Sequence, residues 1–114
     1  MKLLSTSELK ALLGSDGAMI RTMRSGNKLI CSHPSNKSGR PNQFTIDDVV
    51  QNIITIQLMK LGMNLPKAHT IASDVDISVK KAKVIVWAIS IMIDIDKIRE
   101  SIDDFLLTGK PVLK

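Results

Sequence analysis

Arg21 and Arg24 stand three residues apart, at a spacing that puts both on one face of a helix, with Thr22 beside them and Lys28 just beyond. Guanidinium groups so placed suit duplex DNA. An arginine can bridge O6 and N7 of guanine, worth about 1–3 kcal/mol of discrimination, or hold a backbone phosphate. Ser15, at the start of the same stretch, joins this set. A second set, Asn36, Lys37, Ser38 and Arg40, lies in a turn cluster from Pro34 to Pro41. Its residue types tolerate unusual backbone angles, and its charge suits sequence-independent phosphate contact. Other combinations offer less chemistry. Cys31, His33 and His69 give at most three poorly clustered ligands, so no metal site is expected. Asp94 and Asp96 would share a strand face and could hold Mg²⁺, but helix capping by Asp96 explains them more simply. No nucleophile–base set and no glycine-rich phosphate cradle stands out, so neither an enzyme nor a cofactor is expected.

The charge distribution fits the arginine reading. Residues 1–43 hold seven lysines and arginines against Glu8 and Asp16, a net of +5. Residues 44–73 balance two against two, and residues 74–114 seven against seven. A basic front and a neutral back suit a protein that meets a polyanion with one surface and does something else with another. With one tryptophan, two phenylalanines and no tyrosine, the chain has few rings on which to stack single-stranded bases. Duplex DNA is therefore the favoured nucleic acid. The lone Cys31 suits a reducing compartment. The polar start lacks a signal-peptide pattern, and the longest apolar stretch, residues 84–95, is broken by Ser90 and Asp94. That stretch falls short of the roughly 20 residues that span a bilayer. A cytoplasmic protein with no membrane contact and no evident small-molecule effector is expected.

The elements that must position these residues follow from spacing and caps. Ser5-Thr6-Ser7-Glu8 is a capping box for a helix over about 6–13, with Leu9, Leu12 and Leu13 inward and Gly14 as its stop. Ser15-Asp16 offers a cap for a second helix over 16–25, with Met19, Ile20 and Met23 inward and Gly26 ending it. Residues 28–33 read as a strand, 34–41 as the tip of a hairpin, and 42–44 as the returning strand. Thr45 caps a third helix so rich in isoleucine, valine and leucine that it must be buried on two sides, and Asn64 caps a fourth. The alternation of residues 89–96 favours strand over a competing helix across 79–93. Asp96 then caps a last helix over 97–107, stopped by Gly109.

Residues 5–72 resemble the MerR-type winged-helix DNA-binding domain. The likeness rests on Ser7-Glu8-Leu9-Lys10-Ala11-Leu12-Leu13-Gly14, on Arg21-Thr22-Met23-Arg24, on Gly26-Asn27-Lys28-Leu29 leading into the wing, and on Gly39-Arg40 with Phe44-Thr45 closing it. Asp48, Ile53, Leu61-Gly62 and Leu65 fit the helix pair that follows. The resemblance implies that the second helix enters the major groove, that the wing lies along phosphates, and that the protein acts as a dimer. Two features depart from the family pattern: Ser25-Gly26 replaces its aromatic residues, and its long coiled coil and cysteine-bearing metal loop are missing. A short, phage-like or accessory member fits better than a metal or drug sensor.

These readings converge on a mainly helical α+β chain. A winged helix-turn-helix of two short helices, a two-stranded wing and a helix pair occupies residues 1–73. A strand-and-helix dimerisation element occupies 74–114, since its apolar stretch over 82–107 exceeds what the winged-helix core needs. The expected function is sequence-specific binding of double-stranded DNA as a small dimeric transcription regulator, repressor-like. An excisionase-like or packaging-type architectural factor is the alternative, and a protein-binding adaptor a further one.

Overall fold

Helix formation starts at the capping box. Ser5 Oγ accepts from the Glu8 amide and Glu8 Oε1 from the Ser5 amide, both at 3.1 Å. In the computed structural model, which describes residues 2–34 and 42–112, this box opens α1 (Thr6–Leu13), whose Leu9, Leu12 and Leu13 are fully buried. The expected helix over 16–25 is shorter than its spacing suggested. Residues Gly14–Asp16 form a 3₁₀ turn, and α2 runs only Met19–Ser25, with Ala18 at its N-cap and no side-chain cap. Asp16 does not cap because its carboxylate pairs with Lys60 Nζ at 3.0 Å. The turn also crosses the end of α1 so closely that a Cβ on residue 17 would lie 2.8 Å from the Lys10 carbonyl oxygen, which requires glycine there.

A single strip of sheet follows. β1 (Leu4–Ser5), for which the sequence holds no local signal, pairs antiparallel with β2 (Gln43–Phe44). The strand expected over 28–33 is absent apart from one antiparallel bridge, His33 to Gln43. Backbone groups of this stretch are instead taken by side chains of α3 (Ile46–Lys60). Asn52 accepts from the Ile30 amide at 3.0 Å and donates to the Ile30 carbonyl at 2.8 Å. Asp48 accepts from the Ser32 amide at 2.8 Å and from Ser32 Oγ at 2.7 Å.

Thr45 and Asp48 form a second reciprocal capping box at the start of α3, which carries Val49, Val50, Ile53, Ile54, Ile56 and Leu58 into the core. Asn64 caps α4 (Leu65–Asp74), which lies against α3 with Ala68 and Ala72 buried. The ambiguous stretch around 79–93 is a hairpin of two strands, β3 (Lys81–Val86) and β4 (Ile89–Asp94), paired from Lys81–Asp94 to Val86–Ile89. β4 runs directly into α5 (Ile95–Thr108), so the cap is Asp94, two residues before the expected Asp96. Asp94 Oδ1 accepts from the Lys97 amide at 3.0 Å, while the Asp96 amide donates to the Lys80 carbonyl at 3.0 Å. Gly109 closes α5 in the left-handed conformation, φ 77°.

Ile95 and Ile102 of α5 belong to the same buried cluster as Leu4, Leu9, Phe44 and Ile53. The Val112 amide donates to the Leu12 carbonyl at 2.7 Å, returning the end of the described chain to α1. Among the described residues, five α-helices and two small antiparallel sheets thus make a mainly helical α+β fold around one core.

Candidate nucleic-acid interface

The short helix α2 divides its residues by solvent contact. Ile20 and Met23 are fully buried and Met19 is half-buried, whereas Arg21, Thr22, Arg24 and Ser25 are exposed. Burying one stripe of a seven-residue helix fixes its rotation, so the remaining face is presented to solvent rather than wandering. Neither arginine makes an ion pair, since among the described residues the only pairs are Lys60–Asp16 and Arg99–Asp47. Ser15 is exposed on the preceding 3₁₀ turn. Asn36, Lys37, Ser38 and Arg40 lie outside the described residues; on either side of that segment the Gln43 amide donates to the His33 carbonyl at 2.9 Å.

Of the two acids in the first 43 residues, Glu8 caps α1, and Asp16 is paired with Lys60 at the far end of α3. That second contact ties the turn before α2 to the central helix. At the other end of α2, Asn27 rather than Gly26 takes the left-handed conformation, φ 58°. The Lys28 amide reaches back to the Met23 carbonyl at 2.8 Å and the Asn27 amide to the Arg24 carbonyl at 3.0 Å, a Schellman arrangement. Gly26 serves close packing instead: a Cβ there would meet Leu65 Cδ2 of α4 at 2.9 Å. The chain therefore leaves α2 along a fixed course, with α4 pressed against its end.

That contact brings in a residue whose sequence context suggested only a poor metal ligand. His69 of α4 has its pKa lowered by partial burial and then by the nearby charge of Lys28. The charge of Lys28 is thus felt at a histidine 41 positions downstream, where it favours the neutral imidazole, and nothing in the local sequence signals it. Asp48 and Asn52 also do more than their local sequence suggests, where Asp48 is a dipole-favoured acid and Asn52 has no evident role. Both are buried, one helical turn apart, and together they hold residues 30–32, the limb leading to the basic turn. The available signal was two polar residues inside an otherwise apolar stripe.

Cys31 is half-buried, donates its thiol to the Gln43 carbonyl at 3.2 Å, and has its pKa raised chiefly by burial. It acts as a small wall of the core edge. Among the described residues no group of three histidines, cysteines or carboxylates is placed to hold a metal ion, and no helix is long and apolar enough to cross a membrane. No family model matches this chain, and no curated protein matches it.

Proposed function

We propose that this chain is a small winged-helix protein, MerR-like in arrangement, that binds specific double-stranded DNA as a dimer and regulates transcription in the manner of a repressor. In this reading α2 enters the major groove. Arg21 and Arg24 reach base edges or the phosphates beside them, Thr22 and Ser15 add short polar contacts, and Lys28 with the basic turn at 34–41 follows the backbone. The observation that carries the reading is the state of the α2 arginines: exposed, outside every ion pair among the described residues, and borne on a helix whose other face is locked in the core. Supporting it are the two-helix unit α1–turn–α2 and the strip formed by β1, β2 and His33.

Selection from a random duplex library with the purified protein tests it. The expected product is one enriched motif with two-fold symmetry, as a dimeric reader requires. Arg24→Ala should lose affinity for that motif alone, while Arg40→Ala should weaken all duplexes alike. A phased array of sites with strong bending would instead mark an architectural factor. Failure to retain any duplex at low salt would remove the proposal.

A further inference from the structure

We propose that the tip of the β3–β4 hairpin inserts into the surface of an anionic phospholipid bilayer, with Trp87 at the border of headgroups and acyl chains and Lys83 and Lys81 at the phosphates. The inference goes beyond the DNA reading and does not depend on it. The expectation of no membrane contact concerned a leader and a spanning segment, and a tip seated in one leaflet needs neither.

Residues 84–93 run for ten positions without a charge. Strand register sorts the hairpin into two faces. On one, Lys81, Lys83 and Ile85 stand opposite Asp94, Met92 and Ser90; on the other, Ala82, Val84 and Val86 stand opposite Ile93, Ile91 and Ile89. Ala82, Ile91 and Ile93 pack on the core, which fixes the base of the hairpin. Toward the turn that cover ends: Ile85 is 68% exposed on one face, Ile89 62% on the other, and Trp87 between them 94%. Trp87 also takes φ 54° in the two-residue loop Trp87-Ala88, where glycine or asparagine is usual and a bulky residue is strained. An indole that strains its backbone and remains in water needs an explanation outside the folded monomer.

Apolar side chains on both faces of the tip narrow the choice of surroundings. A flat protein surface covers one face and leaves the other wet. The major groove of DNA admits a two-stranded ribbon but lines it with polar base edges. Against those edges the uncharged tip sets only the indole N–H of Trp87 and the hydroxyl of Ser90. A lipid leaflet surrounds an inserted tip on every side, and indoles settle where headgroups meet acyl chains.

The charges of the hairpin are graded to match. Going back from the turn, the first is Lys83, opposite Met92, then Lys81 beside Asp94, then Lys80, and all three lysines are exposed. They are outside the ion pairs found among the described residues. Asp94 Oδ1 already accepts from the Lys97 amide. Lys83 and Lys81 stand about 13 and 20 Å behind Trp87 along extended backbone. A headgroup layer is roughly 5–7 Å thick, and long lysine stems reach across the remainder to the phosphates. Asp74 and Asp76 share a cleft with Lys83 and offset part of its charge, so the apolar tip supplies the larger part of the affinity. Insertion stays shallow, because both strands have an open edge whose backbone groups must remain hydrated.

Flotation of the full chain with vesicles, read together with fluorescence of its single tryptophan, tests this. Vesicles of equal parts phosphatidylcholine and phosphatidylserine are expected to carry the chain and to shift Trp87 emission to the blue. Acyl chains brominated near the glycerol are expected to quench that emission. Trp87→Gly suits the loop angle, so it should fold and yet float roughly 10–100-fold more weakly, as loss of one large buried apolar side chain does. Lys81→Gln with Lys83→Gln should weaken binding to the anionic vesicles by about 5–30-fold and leave the weaker binding to pure phosphatidylcholine unchanged. Absence of flotation overturns the proposal. So does flotation with Trp87 emission unmoved, which is adsorption through the basic first 43 residues, and so does a Trp87→Gly chain that floats like wild type. Emission already blue and shielded from an aqueous quencher without vesicles also overturns it, marking a second copy as the cover. A shift produced by duplex DNA and not by vesicles does the same, marking the hairpin as a DNA arm.

Discussion

The two ends of the chain use exposure in opposite ways. On α2 the stripe of Ile20 and Met23 is buried and the exposed residues include two arginines outside the ion pairs found among the described residues; on the β3–β4 hairpin the exposed residues include Ile85, Trp87 and Ile89. Two basic residues elsewhere are already engaged. Lys60 holds Asp16, and Arg99 holds Asp47 at 2.9 Å while donating to the Ile77 carbonyl at 2.9 Å. A cation held in an ion pair braces the fold, and one left free on a fixed helix is available to an anion from outside.

The largest effect expected is on the basic surface. Replacing Arg21 and Arg24 together by alanine should lower affinity for the selected duplex by roughly 10²–10⁴-fold, from about 1–3 kcal/mol at each arginine. Both side chains are exposed, so the thermal midpoint should stay within a few degrees and self-association should persist. A double variant that binds DNA like wild type would erase the contrast between the two ends.

Next comes the scaffold beneath that surface. Asn52→Ala leaves both the amide and the carbonyl of Ile30 without their partner, at a cost of about 2–3 kcal/mol. The midpoint should fall by on the order of 10 °C in thermal unfolding. Lys60→Met removes an exposed ion pair and should cost at most about 1 kcal/mol. If Lys60→Met instead weakens specific DNA binding more than it weakens the fold, the pair's main part is to set the angle of α2.

Smallest is a pH effect. Burial and Lys28 lower the pKa of His69, so the folded state resists its protonation and stability declines as pH falls through the histidine range. A phosphate seated at Lys28 would reverse that sign locally by favouring the charged imidazole. Duplex affinity should then rise more steeply toward acid pH in wild type than in His69→Gln. Parallel pH profiles for the two would place the backbone away from α4.

Much of this architecture could be read from local rules. Ser5 with Glu8, Thr45 ahead of α3, Asn64 before α4 and Gly109 after α5 act as their residue types dictate, because caps depend on a few neighbouring atoms. The α2 arginines were legible for the same reason: helical spacing alone separates them from Ile20 and Met23. What escaped was set by distant partners. Residues 28–33 have strand composition, yet Asp48 and Asn52 capture their backbone groups before a ladder forms. Ser15-Asp16 has the look of a cap, yet Lys60 claims the carboxylate from 44 positions away. The strand pairing of Leu4–Ser5 with Gln43–Phe44 and the approach of His69 to Lys28 have no local signature. The hairpin's loop escaped because Trp87-Ala88, with Trp87 at φ 54°, breaks the usual turn chemistry.

Duplex affinity measured across salt concentration for wild type and the Arg21→Ala, Arg24→Ala chain tests the central claim most directly, namely that α2 presents free cations to DNA. For wild type, log affinity should fall linearly with log salt at a slope of about −4 or steeper, and the double variant should be flatter by roughly one unit for each phosphate it no longer neutralises. A wild-type slope near zero, or identical lines for the two chains, would contradict it.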